Sequence, residues 1–397
     1  MKKLKKSSYL LVLLILASEC FGLLPFAEWM TLMNNVAGQA ALALWMVYGL
    51  RTYRKADHGL YKKEYNKPTW FILGAVFFSM IPAYLYYGQS ILTSVVAYRA
   101  QYFWLFIPVL LYIRPNAQEL IKTLNTFACL YAIALIIRNY VASSLFYISE
   151  KVLENWAYYE DEVMLIPGYV LLLIPYYYYC DKIKNCGATS QNVMMVVFFF
   201  TVFFISENRS TLFVAALVLG YVILKKKSHY KFLFLLCAST VVVIMAYFTA
   251  DVWLSLFSET TEQLGNEDYN RVKAFTYFVF QANENWVTAV FGNGFLSAHT
   301  SSKMQDLMEL GIYNSDLGMI GYWNQYGIIP VITFLAYIWR SFRAKWCPFY
   351  VKATGFHLLA CALTISYFGT PANILWFVVF YYLYVYYQHE YVNSKTR

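Results

Sequence analysis

The stretch TWFILGAVFFSMIPAYLYYG at residues 69–88 decides the fold class of this chain. It carries no charged side chain over about 20 residues, the length that an α-helix needs to cross a bilayer. Similar apolar runs recur from one end of the chain to the other. The composition agrees, because 60% of the 397 residues are hydrophobic and 13% are charged, whereas about a quarter are charged in soluble domains. The sequence therefore predicts an integral membrane protein.

The apolar runs predict an all-α, polytopic membrane domain that covers residues 1–397, with about twelve transmembrane helices. The predicted spans are 8–28, 31–50, 69–88, 99–113, 121–141, 162–180, 190–206, 210–224, 230–250, 317–339, 349–368 and 372–388. The first run is longer than the core of a signal peptide and has no clear cleavage site, so we expect it to be retained.

The distribution of lysine and arginine predicts the orientation of these spans, because basic residues collect in cytoplasmic loops. With the N-terminus inside, the inner loops hold 23 of the 31 basic residues and Lys352 begins a span. The outer side keeps seven: Arg99, Arg138, Lys151, Arg209, Arg271, Lys273 and Lys303. Both termini are then cytoplasmic, and the net charge of +9 reflects topology and contact with anionic lipid rather than nucleic-acid binding.

One large polar loop, residues 251–316, interrupts the spans between the ninth and the tenth. The orientation above places it on the outer face. Two helices are expected within it, at 269–282 and 301–310, and the segment FGNGF at 291–295 is typical of a glycine-rich turn. A membrane protein with one large outer loop is expected to act there, so the loop is the first place to look for a site.

Two outer arginines are candidates for binding a diphosphate. Arg209 lies in the short turn SENRST at 206–211, and Arg271 opens the apolar helix of the loop. A guanidinium group donates paired hydrogen bonds to phosphate oxygens, and it stabilises a leaving group on which negative charge grows. The alternative is a structural pair with a nearby acid, Glu207 for Arg209 and Asp268 or Glu267 for Arg271.

The same residues resemble a known family. SENRSTLFVAALVLGYVIL at 206–224 is similar to the arginine-containing turn and following span of bacterial O-antigen polymerases and O-antigen ligases. Arg271, Trp286, the G-x-G turn and NSDLGMIGYWNQYGI at 314–328 continue the resemblance through the second half of the chain. It implies a GT-C-like glycosyltransferase that uses a polyprenyl diphosphate-linked oligosaccharide, and it favours Arg209 and Arg271 together as catalytic residues.

The general base is left open between two residues. The ligases of the family have a histidine-containing motif near the end of the large loop, whereas this chain has Asn314, Ser315 and Asp316 there, with His299 some distance before. Partial desolvation would make Asp316 more basic, but an aspartate at this place also suits the N-cap of the tenth span. His299 is the second candidate, and a solvated loop position is its plainer interpretation.

Polar residues inside or beside the spans give weaker candidates for substrate binding. Arg99 starts the predicted fourth span, and Asn324 and Gln325 lie within the tenth, where amides cost free energy unless they face a cavity or each other. The 38 tyrosines, as in 176–179 and 381–387, are interpreted as belts at the membrane interface.

Taken together, the residues and the resemblance predict a polymerase for a surface polysaccharide (capsule, exopolysaccharide or O-antigen) in the bacterial cytoplasmic membrane. Its partners would be the lipid-linked repeat unit, membrane lipid, and possible chain-length regulator and flippase proteins; no cofactor, metal or nucleic acid is expected, since the chain has no glycine-rich phosphate loop and no Asp-x-Asp motif. The alternatives are an O-antigen ligase, a lipid-linked oligosaccharide flippase or other transporter, and a membrane acyltransferase. The absence of internal repeats disfavours a transporter.

Overall fold

The computed structural model of the chain describes residues 10–12, 14–15, 36, 38–44, 46–47, 63–137, 169–205, 209–225, 270–282, 285–296, 301–312, 317–362 and 369–396. Of these residues 87% are helical, and none of them lies in a strand. The all-α class predicted from the apolar runs is therefore confirmed for the described part of the chain.

The first half of the described chain forms long apolar helices. In chain order these are α1 (Lys63–Tyr87), α2 (Ile91–Ala97), a 3-10 segment (Tyr98–Leu105), α3 (Phe106–Ile113), α4 (Ala117–Ile136), α5 (Leu173–Cys186), α6 (Ser190–Ile205) and α7 (Arg209–Lys225). The side-chain oxygens of Ser90 and Asn116 accept backbone N–H bonds at the N-termini of α2 and α4, as expected for helix-capping residues.

The second half contains short helices from the polar loop and then longer helices. They are α8 (Asn270–Thr276) with a π-helical continuation (Tyr277–Gln281), α9 (Trp286–Phe291), α10 (Ser302–Glu309), α11 (Met319–Tyr326), α12 (Ile328–Arg343), α13 (Phe349–Ala360) and α14 (Pro371–Thr396). Both helices predicted within the loop are confirmed by α8 and α10. Helix α9 was not predicted from the sequence.

Three helical stretches are long and apolar enough to cross a membrane, judged by length and composition: Tyr65–Tyr87, Ile91–Ile113 and Ala117–Ile136. Two shorter apolar helices, Ser190–Phe204 and Ser210–Lys225, follow them. These helices indicate a membrane protein, while the count of about twelve spans stays a prediction because several spans fall outside the described residues.

Basic residues from separate helices gather at one end of the bundle. The ammonium nitrogen of Lys184 at the end of α5 lies 4.0 Å from the ring centre of Phe349 at the start of α13. It also lies 5.6 Å from the ring of Tyr221 near the end of α7. Arg114, directly after α3, approaches His389 near the end of α14, with 3.4 Å between their nitrogens.

The start of α1 and the end of α12 belong to the same end of the bundle. The hydroxyl of Tyr381 in α14 donates a hydrogen bond to the backbone oxygen of Tyr65 over 2.8 Å. The Tyr381 ring packs edge-on against Tyr337 of α12, and the guanidinium carbon of Arg340 lies 5.2 Å from the Tyr337 ring centre. We call this region, marked by Tyr65, Arg114, Lys184 and Arg340, the basic end.

The tyrosines of 176–179 and 381–387 fill the interior more than the sequence pattern indicates. Tyr176, Tyr177, Tyr381 and Tyr382 are each at most 1% exposed, so the interpretation of these four as an interfacial belt was wrong. Their hydroxyls are paired within the protein; that of Tyr382, for example, donates to the backbone oxygen of Pro115. They join helices to one another because a buried phenol combines a large apolar ring with a polar tip.

Candidate functional site

The predicted tenth span is not one helix. Residues 317–339 were expected to cross the membrane without a break, but the chain turns at Gly327, which has φ +80° and separates α11 from α12. A Cβ atom on Gly327 would lie 2.0 Å from the backbone oxygen of Val290 in α9. The prediction of an unbroken span was wrong, since the turn lies against a segment of the polar loop that the apolar pattern of 317–339 does not contain.

Helix α11 crosses the bundle instead of continuing along α12. At its start, the N–H of Met319 donates to the backbone oxygen of Ala362, after α13, over 2.7 Å. At its end, the ring of Tyr326 packs edge-on against Tyr98 of the 3-10 segment, with 5.5 Å between ring centres. We call α11 the crossbar, because it connects the end of α13 with the 3-10 segment at the far side of the bundle from the basic end.

The break frees backbone carbonyl groups that need hydrogen-bond donors in a water-poor environment. The N–H of Asn293 donates to the oxygen of Asn324 over 2.7 Å, and the N–H of Gly294 donates to the oxygen of Gln325 over 2.9 Å. The N–H of Gly327 donates a hydrogen bond to the backbone oxygen of Trp323, within the crossbar, over 2.7 Å. The G-x-G turn of the loop therefore completes the hydrogen bonding at the end of the crossbar.

The two glycines of the turn are required for two reasons, their backbone angles and the lack of space for a side chain. Gly292 and Gly294 have φ +81° and +80°, a region that L-residues with a Cβ rarely adopt. A Cβ on Gly292 would lie 2.4 Å from the backbone oxygen of Gln325, and one on Gly294 would lie 2.6 Å from the Cβ of Ala83 in α1. The turn predicted at 291–295 is confirmed, and it packs closely against both α1 and the crossbar.

Side chains attach the same turn to α1 and to the segment after it. The hydroxyl of Tyr87 donates to Asn293 Oδ1 over 2.9 Å, and Asn293 Nδ2 donates to the backbone oxygen of Ala282 over 3.2 Å. Gln89 Nε2 donates to the backbone oxygen of Phe295 over 3.0 Å. The N–H of Phe295 in turn donates to the hydroxyl oxygen of Tyr98 over 2.9 Å.

A second polar cluster joins Tyr322 of the crossbar to the 3-10 segment. Gln101 Oε1 accepts hydrogen bonds from Tyr322 Oη over 3.0 Å and from Trp104 Nε1 over 3.1 Å. All three side chains are at most 3% exposed. The sequence analysis did not select Gln101, Gln89 or Tyr98, although a glutamine inside an apolar stretch is itself a signal, since a buried amide needs partners.

The described part of the polar loop is a packed unit. Phe278 and Ala274, from α8 and its π-helical continuation, form a small apolar cluster with Leu307 of α10 and with Leu317, just before the crossbar. The indole N–H of Trp323 in the crossbar donates to the backbone oxygen of Ala289 in α9 over 2.8 Å. The loop helices thus contact the crossbar as well as one another.

The predicted catalytic residues fall at helix ends or outside the described ranges. Arg209 is the first residue of α7, and Arg271 is the second residue of α8. The structure describes the backbone at both positions, and the relative placement of their guanidinium groups stays a prediction. Asp316 and His299 lie outside the described residues.

Arg99 lies deeper in the fold than its predicted position at the start of a span. The helical stretch begins at Ile91 rather than at residue 99, so Arg99 is within the apolar stretch Ile91–Ile113, and the expected boundary was wrong. Its side chain is exposed, and its backbone oxygen accepts a bond from Gln39 Nε2 over 3.3 Å. An ionisable side chain inside a membrane-crossing stretch is costly, and such positions are usually functional.

The two amides of the predicted tenth span end up in the crossbar. Asn324 is 3% exposed, and its Nδ2 has no hydrogen-bond partner; Gln325 is half-buried. Both residues offer their backbone oxygens to the G-x-G turn, so their position in the fold is explained without a substrate. A substrate-binding role for their side chains stays a prediction.

Neither a metal site nor a polar cavity competes with the turn and the crossbar within the described ranges. Among those residues, no group of three or more His, Cys, Asp or Glu side chains is placed to hold a metal ion. A crevice is lined by the apolar side chains Leu10, Leu14, Phe106, Leu110, Leu120, Leu375 and Val379. Its lining offers no polar group for a sugar, so the turn and the crossbar remain the candidate site.

Comparison with known proteins gives no family or function for this chain. No protein-family model matches the chain, and no curated protein matches it. The resemblance to O-antigen polymerases and ligases therefore rests on the short motifs around Arg209, Arg271 and the G-x-G turn.

Proposed function

We propose that this protein is a membrane-embedded glycosyltransferase that polymerises repeat units carried on a polyprenyl diphosphate into a surface polysaccharide. One observation carries the proposal: Phe295 of the polar loop is hydrogen-bonded to Tyr98. Tyr98 directly precedes Arg99, and both residues lie within the apolar helical stretch Ile91–Ile113. A diphosphate at the end of a lipid tail needs a cationic partner near the membrane boundary, and a guanidinium group beside the attached loop supports that role for Arg99.

The orientation of the chain is part of the proposal. The basic end defined by Tyr65, Arg114, Lys184 and Arg340 would face the cytoplasm and its anionic lipids. The turn and the crossbar lie at the other end of the helices, so they would face the outer side of the cytoplasmic membrane, with both termini inside. This side suits a substrate that arrives already activated and needs no nucleotide.

In the proposed reaction, a hydroxyl oxygen of the acceptor repeat unit forms a bond to the anomeric carbon of the donor glycan. The bond from that carbon to the diphosphate oxygen breaks, and its electron pair leaves with the polyprenyl diphosphate. The hydroxyl proton passes to a general base, Asp316 or His299. Arg209 and Arg271 would stabilise the negative charge that grows on the diphosphate, with Arg99, Asn324 and Gln325 contributing to substrate binding.

Reconstitution tests the proposal directly. The purified protein in liposomes is given a lipid-linked repeat unit, and the products are separated on a gel. We expect a ladder of lengths, which Arg209→Ala and Arg271→Ala abolish while both variants still insert. Arg343→Ala, an arginine-to-alanine change at the end of α12 on the basic side, is the matched control and should leave the ladder intact.

Other outcomes separate the alternatives. A single transfer to an added acceptor lipid, without a ladder, would favour a ligase. Movement of the labelled lipid-linked substrate across the bilayer without any new glycosidic bond would favour a transporter. Normal chain lengths from both arginine variants would refute the diphosphate role, and full activity of Asp316→Asn would leave His299 as the candidate base.

A further inference from the structure

We propose that the turn Gly292–Phe295, the crossbar end Asn324–Gly327 and Tyr98 form one positioning joint, which sets the loop helices against the 3-10 segment that carries Arg99. The inference rests on the proposed function for its catalytic consequence, but the joint itself is tested independently. Within it, Asn293 and Tyr98 are positioning residues rather than catalytic ones, because they act through the backbone that they hold.

The joint is a point where three separate parts of the chain meet. The turn supplies the N–H groups of Asn293 and Gly294, and the crossbar supplies the oxygens of Asn324 and Gln325. Tyr98 supplies an acceptor for the N–H of Phe295. Backbone hydrogen bonds and close glycine contacts allow little sliding, so a shift of one part must move the others.

On the loop side, the joint is connected to the helices that carry the proposed chemistry. Asn293 Nδ2 binds the backbone oxygen of Ala282, which directly follows the π-helical continuation of α8. Trp323 in the crossbar binds the backbone of Ala289 in α9. Arg271 is in α8, and its helix is therefore held in place from the joint.

On the bundle side, the joint is connected to the stretch Ile91–Ile113. The hydroxyl of Tyr98 lies 3.2 Å from Ser79 Oγ of α1, and Arg99 is the next residue in the chain. The whole segment Tyr98–Leu105 is 3-10 helical, a conformation that rarely extends beyond three or four residues and often marks a functional position. The joint thus relates the backbone of Arg99 to the backbone of Arg271.

Such a relationship matters because transfer depends on the distance between the group that binds the diphosphate and the reacting atoms. Displacement of a reacting group by about 1 Å costs about a hundredfold in rate. Loosening the joint is therefore expected to lower kcat more than it changes the KM for the lipid-linked repeat unit.

The first test measures the joint without any substrate. Amide hydrogen exchange is followed by mass spectrometry in the full-length protein in nanodiscs. We expect Asn293→Ala and Tyr98→Phe to raise exchange at 270–282 and 286–295 by at least about tenfold, because opening of the loop becomes easier. Tyr102→Phe is the matched control: it removes a hydroxyl that donates to the backbone oxygen of Val95 in α2 and should leave exchange at 270–295 unchanged.

The second test uses the polymerisation assay with the same variants. We expect kcat to fall at least about tenfold for Asn293→Ala and Tyr98→Phe, with KM changed by less than about threefold, and no change for Tyr102→Phe. If Asn293→Ala fails to insert, Tyr98→Phe, which keeps its ring, carries both tests.

The outcomes separate the two ideas. Unchanged exchange at 270–295 in both variants would overturn the joint. Raised exchange with unaltered kcat and KM would overturn its positioning role while leaving the proposed function intact. A wild-type protein that makes no ladder would overturn the proposed function and the positioning role together, and the exchange result would still decide whether the joint exists.

Discussion

The backbone N–H of Phe295 donates a hydrogen bond to the hydroxyl oxygen of Tyr98 over 2.9 Å, joining residues that are 197 positions apart in the chain. Their rings also meet edge-on, with 6.5 Å between the ring centres. Tyr98 is fully buried, whereas Phe295 is 36% exposed, so this bond lies at the edge of the buried region. One phenol therefore links the polar loop to the apolar bundle, and the predictions below begin with it.

Removal of the Tyr98 hydroxyl is expected to destabilise the fold without disturbing its packing. Tyr98→Phe keeps the ring contacts with Phe295 and Tyr326 but removes the hydroxyl that accepts the partly buried N–H of Phe295, which costs about 1 kcal/mol. Unfolding in detergent by increasing denaturant measures the loss. Tyr84→Phe, which removes a hydroxyl from an exposed side chain of α1, is the control and should change the free energy of unfolding by less than about 0.5 kcal/mol.

The glycines of the turn and the break are expected to be far less tolerant of substitution than glycines elsewhere. Gly292→Ala and Gly327→Ala place a Cβ 2.4 Å and 2.0 Å from backbone oxygens. They also force alanine into a positive-φ region that is essentially restricted to glycine, so the combined cost is about 2–6 kcal/mol. The measurement is the yield of folded protein on size-exclusion chromatography, followed by denaturant unfolding.

Substitutions at two other glycines serve as controls, because they separate the cost of backbone strain from the cost of a close contact with the added Cβ. Gly187 has φ +108° with open space around it, so Gly187→Ala measures the backbone strain alone, about 1–3 kcal/mol. Gly220 in α7 also has open space and no positive φ, so Gly220→Ala should be neutral or stabilising. Equal losses at Gly187 and Gly292 would show that the contact with the crossbar contributes nothing.

The turn at 291–295 was predictable from the sequence, whereas its partner was not. Two glycines around an asparagine indicate a turn through local backbone preference alone. The break at Gly327 lies directly before the apolar run IIPVI at 328–332 and after the aromatic and amide residues YWNQY at 322–326. A single glycine at such a position is compatible with an unbroken membrane helix, so only the contact with Val290, 37 positions earlier, reveals the break.

For the arginine candidates, too, the sequence predicted one property correctly and another incorrectly. Charge type and position at span edges were enough to select Arg209, Arg271 and Arg99 from the sequence. The position of Arg99 was misjudged because a charged side chain was taken to mark the edge of a span, whereas the helical stretch begins eight residues earlier, at Ile91. Tyr98 and Gln101, which follow α2, have hydrogen-bond partners inside the protein, so these polar side chains do not end the stretch.

Arg99 is expected to matter for activity more than for insertion. An apolar replacement within Ile91–Ile113 favours membrane insertion, so Arg99→Leu should insert at least as well as the wild type. In the polymerisation assay we expect it to lower product formation at least about tenfold, with partial recovery in Arg99→Lys, because lysine keeps the charge but not the paired donors. Full activity of Arg99→Leu would assign the residue a structural role only.

The orientation of the basic end is expected to show in the reactivity of Cys186. This thiol is exposed and lies at the end of α5, two residues after Lys184, whereas Glu309 is exposed on α10 among the loop helices. A membrane-impermeant maleimide should label Glu309→Cys in intact spheroplasts and leave Cys186 unlabelled. In inside-out vesicles the pattern should reverse.

The control for that labelling is Cys186→Ala, which assigns the signal in inside-out vesicles to this thiol rather than to another cysteine. Labelling of Cys186 from the outside would place the basic end outside and the turn, the crossbar and Arg99 toward the cytoplasm. An outer-face polymerase would then be excluded, since the loop would face the compartment in which lipid-linked repeat units are assembled rather than joined. The orientation therefore has to be established before any loss of activity in the arginine variants is attributed to diphosphate binding.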